Sequence, residues 1–196
     1  MLKIGITGGI GSGKTTVCRV FETLGIPVFY ADTAAKEIMA NDLDLVKGIK
    51  ETFGEGSYTG GVLNNKYLAD IVFNNPGELA KLNALVHPAV FRGFDVWLSQ
   101  VPSYVPYILK EAALLFESGS YKACDYSLLV TAPLQTKLDR VVKRDGVDEV
   151  QVKVRMDKQL SDEEKIKMAD FFIRNDETQS LILQVYDLHR QILSKQ

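Results

Sequence analysis

With 196 residues and a net charge of −2, the chain has no global basic field to recruit nucleic acid or an anionic membrane, so any anion site must be built locally. Apolar residues make up 46% and charged residues 24%, the balance of a soluble globular protein long enough for one domain with accessory lobes. Cys18 and Cys124 lie in apolar-patterned segments and read as buried free thiols, and His87 and His189 lack metal spacing. The opening MLKIGITGG is too short for a signal peptide and no run reaches transmembrane length. The expected location is the cytoplasm, with no membrane, nucleic-acid or obligatory protein partner.

In chain order, Leu2–Thr7 alternates and reads as a strand. A glycine-rich stretch follows, then a helix from near Gly13 with Val17, Phe21 and Leu24 at i, i+4, i+7, stopped by Gly25. Pro27–Tyr30 is a second short strand, which completes a βαβ unit. Helical patterns then dominate: Thr33–Ala40, Leu43–Phe53, Tyr67–Phe73, Pro76–Val86 and Pro88–Ser99, separated by the turn clusters GEGSYTGG and FNNPG. Strands return at Val105–Lys110 and Tyr126–Thr131. Pro133 suits a helix N1 position before Leu134–Lys143, and SDEE at Ser161–Glu164 has capping-box spacing. Phe171–Ile173 reads as a last strand, and Leu181, Val185, Leu188 and Ile192 as the apolar stripe of a closing helix.

Gly8, four residues, then Gly13-Lys14-Thr15 fits the phosphate-loop pattern, with an apolar strand before it and an amphipathic helix after it. Phosphate oxygens need many donors in a small volume, and backbone N–H groups supply them only where the chain curls tightly. Glycine allows that curl, and the helix points its positive end at the same spot. Gly8, Gly9, Gly11, Ser12, Gly13, Lys14, Thr15 and Thr16 are therefore the candidate nucleotide-binding residues. Lys14 is the mobile cation for the outer phosphates and Thr15 the hydroxyl for Mg²⁺.

What is done with the phosphate is narrowed by absences. The one Asn-Lys step is followed by Tyr67 and Leu68, so no guanine-reading Asn-Lys-x-Asp exists. Leu109-Lys110-Glu111 is a poor imitation of an apolar strand ending in a carboxylate, as larger motor and transport ATPases carry. A small-molecule kinase fits better. Asp32 ends the second strand, where ligands sit in open α/β sheets. It suits either an acceptor for a hydroxyl proton or an N-cap for the helix from Thr33. Arg140 and Arg144 share a helix face at i, i+4 beside Lys137 and Lys143, with Arg155 and Lys158 further on. That face suits closure over a transferring phosphoryl group, or simply a solvated surface.

The segments IGITGGIGSGKTTV, LGIPVFYAD, LNALVHPAV, LLFE (Leu114–Glu117), KLDRVVKRDG and ADFFIRND occur in an order that resembles the dephospho-CoA kinase family over nearly the whole chain. The resemblance implies phosphorylation of the ribose 3′-hydroxyl of dephospho-CoA by Mg-ATP. It implies catalytic roles for Lys14, Asp32 and Arg140, with Asp32 as base. Arg140, Arg144 and Asn175 would contact ATP. Thr7, Asp32, His87, Leu114 and Glu117 would meet the acceptor. Tyr30 stands where many relatives have an aspartate, and Ala113 where many have proline. The implied fold is a three-layer α/β P-loop kinase with a parallel sheet. Its core is formed by residues 1–32, 104–135 and 170–196, its helical acceptor lobe by 33–103, and its lid by 136–169.

Overall fold

β1 (Leu2–Thr7) is the central strand of a parallel sheet in a computed structural model that describes residues 1–73 and 75–195. Its inner residues Ile4 and Ile6 are fully buried. The glycine loop leads into α1 (Lys14–Thr23), which lays Val17, Cys18 and Phe21 against the sheet and ends at Leu24-Gly25. β2 (Val28–Tyr30) follows. Two compact units then separate along the chain: residues 1–30 with 101–196, and residues 31–100.

The second unit is helical. It holds α2 (Ala31–Asn41) and α3 (Leu43–Phe53), the latter capped by Asp42, whose carboxylate accepts from Leu45 N–H at 3.0 Å. Leu45, Ile49 and Phe53 recur on one face of α3 and form a core of their own with Tyr58, Leu68, Val86 and Ala89. The GEGSYTGG cluster is more than a turn. After a short 3₁₀ stretch it forms a hairpin of β3 (Tyr58–Thr59) and β4 (Val62–Leu63) around Gly60-Gly61, both at positive φ, as a two-residue hairpin turn requires. α4 (Asn65–Val72) is capped by Asn64. The FNNPG cluster includes Asn74, which lies outside the described residues.

α5 (Pro76–Ser99) corrects a further expectation. It is one helix, not two, and it passes through Pro88. Proline withholds one N–H from the ladder and crowds the preceding turn, a loss that usually breaks a helix. Here Val86 and Ala89, on either side of Pro88, are both buried in the unit's core, and that packing holds the helix together across the missing bond.

The first unit resumes with β5 (Tyr107–Glu111), buried along its length. After a 3₁₀ turn at Ser120–Ala123 come β6 (Tyr126–Thr131), α6 (Leu134–Asp145), α7 (Glu149–Met156) and α8 (Asp162–Ile166). The capping box expected at Ser161 and Glu164 is present on α8. β7 (Phe171–Arg174) and α9 (Leu181–Leu193) close the chain. Among the described residues five strands pair in the order β2-β5-β1-β6-β7, all parallel, with Leu2 opposite Tyr107, Ile4 opposite Tyr126, Tyr30 opposite Glu111, and Leu128 opposite Phe171. Both faces are covered, so the inner strands read as near-continuous apolar runs. Val185, Leu188 and Ile192 of α9 are buried as their spacing predicts.

The cysteines are free. Cys18 is buried and Cys124 half-buried, and desolvation raises the pKa of both thiols. No helix among the described residues is long and apolar enough to cross a membrane.

Candidate active site

Because the sheet is parallel, the carboxyl ends of its strands line one edge, and the segment leaving β1 opens there. Gly11 and Gly13 sit at φ +80° and +94°, which a residue with a Cβ adopts only under strain. The space is also taken: a Cβ on Gly11 would strike the Lys137 carbonyl, and one on Gly13 would run into the Asn175 amide. Ser12 N–H donates to Gly9 O at 3.0 Å, closing the turn. Lys14 bends back over the loop and its Nζ donates to Gly8 O at 2.9 Å. Thr7 is buried, its hydroxyl donating to Ala113 O at 3.3 Å. Thr15 and Thr16 are exposed on the first turn of α1. That helix has no side-chain cap: Gly13 offers none, and the buried Ser12 Oγ makes no hydrogen bond.

Two residues remote in sequence complete this surface. Asn175, just past β7, donates through Nδ2 to Ser12 O at 2.8 Å, while its own N–H donates to Thr131 O at 2.8 Å. Arg140 projects from α6, whose Leu138 and Val141 are anchored in a small core with Val152. Its NH2 donates to Asn175 O at 3.3 Å and to Glu177 at 3.4 Å. Its NH1 is buried without a hydrogen-bond partner and lies 3.9 Å from where a Gly13 Cβ would stand. A cationic donor left unpaired beside a ring of loop amides is prepared for an anion that arrives later. Arg144, one turn on, is engaged differently. Asp145 takes both its Nε (2.7 Å) and NH2 (3.1 Å), and Arg155 joins the same carboxylate. That pairing lowers the Asp145 pKa.

A cleft of about 650 Å³ opens beside Gly9, lined among others by Pro133, Lys137, Gln159, Asp162 and Glu164. Lys137 and Asp162 pair across it at 2.8 Å. Of the LLFE segment, Leu114 is exposed, Leu115 and Phe116 belong to the core, and Glu117 turns to the protein. Its Oε1 accepts from Leu160 N–H at 2.9 Å and faces the fully buried Lys165 Nζ at 3.0 Å. The latter contact lies outside hydrogen-bond geometry, so it is coulombic in character.

Within the second unit, α2 begins at Ala31, so Asp32 falls inside the helix's first turn and is not its N-cap. A carboxylate there is favoured by the helix dipole. Asp32 is exposed and follows β2 by two residues, and His87 is half-buried near the middle of α5.

Two further residues escaped the sequence reading. β5 continues to Glu111, so a buried carboxylate does stand at the carboxyl end of the strand beside β1. Its charge helps raise the Cys18 and Tyr30 pKa values. The sequence reading ended this strand at Lys110, one residue short of Glu111, and Lys110 is buried too. Gln159 carried no signal at all: it lies between helices, and its partners are 46 and 149 residues away.

A glycine loop between a parallel strand and a helix, with a guanidinium turned onto it, defines a P-loop phosphotransferase. A shikimate kinase structure from Bacteroides thetaiotaomicron shares the fold, with a TM-score of 0.53, 12% identity and coverage of 97% of this chain and 98% of that one. Closer likenesses narrow the class. The family model for dephospho-CoA kinase matches residues 2–180. Dephospho-CoA kinase of Salinibacter ruber is 43% identical over 180 residues, covering 91% of this chain and 90% of the relative. That of Bacteroides fragilis is 38% identical over 187 residues, covering 95% and 91%. The crystal structure of TT1252 from Thermus thermophilus superposes with a TM-score of 0.86 at 36% identity, covering 99% of this chain and 97% of that one. Dephospho-CoA kinase from Campylobacter jejuni gives 0.69 at 27%, with 98% of each covered. The chain belongs to the dephospho-CoA kinase family.

Proposed function

We propose that the protein transfers the γ-phosphoryl group of ATP to the ribose 3′-hydroxyl of dephospho-CoA, giving CoA and ADP in the final step of CoA synthesis. The observation that carries this reading is the family match across residues 2–180, on a chain whose phosphate loop faces the unpaired NH1 of Arg140. Gly8, Gly9, Gly11, Ser12, Gly13, Lys14, Thr15 and Thr16 cradle the phosphates, and Asn175 holds the loop from the adenine side. As negative charge spreads over the moving group, Lys14 swings from Gly8 O to its oxygens and Arg140 turns NH1 onto them. Arg144 is released from Asp145 when residues 136–169 close as a lid, which excludes water that would otherwise hydrolyse ATP.

Acceptor recognition belongs to residues 33–103, with His87 on the acceptor and Leu114 and Thr7 at its border. Asp32 accepts or orients the proton of the attacking 3′-hydroxyl. The donor set suits Mg²⁺ arriving with the nucleotide. Among the described residues no cluster of three or more His, Cys, Asp or Glu could cage a metal, whereas Thr15 offers one exposed hydroxyl. Thr15 would hold the ion together with the phosphates, and the bound ion supplies charge neutralisation there.

The test is ADP release with Mg-ATP, with and without dephospho-CoA, alongside Asp32→Asn. Acceptor-dependent release is expected, with the acceptor gaining one phosphate by mass spectrometry. Asp32→Asn should lower kcat by about 10²–10⁴-fold while ATP binding persists. A near-normal kcat in that variant sinks the base assignment. ATP binding without dephospho-CoA-dependent release sinks the acceptor.

A further inference from the structure

The Gln159 side chain spans two segments the mechanism needs. Its Oε1 accepts from the Ile10 N–H of the phosphate loop at 2.9 Å, and its Nε2 donates to Ala113 O at 3.4 Å. One amide orientation satisfies both bonds, and the flipped one satisfies neither, so the assignment is unambiguous. The Ala113 carbonyl also accepts from the hydroxyl of Thr7, the residue that opens the loop.

Gln159 is itself held from behind. Its N–H closes the end of α7 on Met156 O at 2.9 Å, and the next residue, Leu160, gives its N–H to Glu117. Glu117 is fixed in turn by Lys165, which has no exposure to solvent. A buried ion pair of this kind is a poor source of net stability, because desolvating both charges offsets their attraction. It does fix a position. Here it fixes the stretch between α7 and α8 so that the Gln159 amide meets the phosphate loop.

We infer that Gln159 is a positioning residue for ATP, bracing the phosphate loop through Ile10 from a seat set by Glu117 and Lys165. This rests on the kinase reading above for its substrate and gives Glu117 a task inside the protein. Preorganised amides bind phosphate without first paying to order the loop. Losing the brace therefore weakens the nucleotide side and leaves the acceptor side alone.

The experiment measures ATP affinity directly by titration calorimetry, then KM for ATP and for dephospho-CoA separately. Gln159→Met keeps the length of the side chain and removes both hydrogen bonds. It should raise the Kd and KM for ATP about tenfold, the scale of one lost hydrogen bond, with KM for dephospho-CoA changing less than about twofold. Gln159→Glu restores an acceptor for Ile10 but sets a negative charge beside the phosphate loop. It should weaken ATP more than the methionine variant at low salt, and the excess should shrink as ionic strength rises. An ATP Kd within about twofold of wild type in Gln159→Met overturns the inference, as does an equal rise in both KM values. Wild-type protein that binds ATP yet phosphorylates no dephospho-CoA sinks the acceptor reading and leaves this inference standing. Wild-type protein that binds no ATP overturns both.

Discussion

Arg140→Met separates what this residue does for the fold from what it does for catalysis, and the two effects can be sized from its contacts. In the ligand-free protein NH1 is buried and unpaired, which costs about 1–3 kcal/mol of lost hydration. NH2 recovers part of this through bonds of 3.3 and 3.4 Å, both long, one of them to a Glu177 side chain that is 81% exposed. Together those bonds contribute about 1–2 kcal/mol. Methionine keeps the packing of the stem while removing both terms. The stability of the ligand-free protein should then stay within about 1 kcal/mol of wild type, with a gain no surprise. Catalysis should not be spared: removing a donor aimed at developing charge lowers kcat by about 10²–10³-fold, or ~2.7–4 kcal/mol. Urea unfolding without nucleotide and steady-state ADP release read the two quantities independently. A stability loss above about 3 kcal/mol with kcat retained would mean that Arg140 is a structural strut, and the reasoning from its unpaired NH1 would fail.

Lys165→Ala should destabilise the protein by about 3–5 kcal/mol in urea unfolding, because the Glu117 carboxylate stays in place with its charge uncompensated. Adding Glu117→Gln should recover a large part of the loss, and a single-variant loss under about 1 kcal/mol would contradict the pairing. His189 Nδ1 is hydrogen-bonded with the Tyr107 hydroxyl at 2.6 Å, and burial lowers the His189 pKa. The unfolded chain therefore binds a proton near the ordinary histidine value that the folded protein refuses, so this group's contribution is lost as pH falls. Wild-type stability measured against His189→Gln should drop between about pH 7.5 and 5.5, and a difference that is flat across that window would refute the shift.

The phosphate loop was legible because its geometry is local. The curl rests on Gly11 and Gly13 at positive φ, and the helix from Lys14 follows at once, so both features are written in consecutive residues. The strand order was not legible, yet the strands themselves were, since buried parallel strands leave long apolar runs. What escaped depends on distance along the chain. Arg140 and Asn175 were named as candidates, but nothing in the sequence showed that they touch each other across 35 residues. Leu109-Lys110-Glu111 read as a poor strand end, and only burial of the whole strand reveals the carboxylate's place. Pro88 read as a helix start because the local cost of proline is visible in sequence, while the packing of Val86 and Ala89 that offsets it is not. The β3–β4 hairpin was too short for any alternation to register.

The central place of β1 has a consequence for synthesis. It is made about 100 residues before its neighbours in the sheet, Tyr107–Glu111 and Tyr126–Thr131. At about 5–20 residues per second, roughly 5–20 s of translation separate the strand from its partners. The unit at residues 31–100, whose core is drawn wholly from its own helices and hairpin, is complete on the ribosome within that interval. That unit is thus able to fold before the sheet can form. β1 waits with both edges open, and that interval is when the nascent protein most needs shielding from other chains.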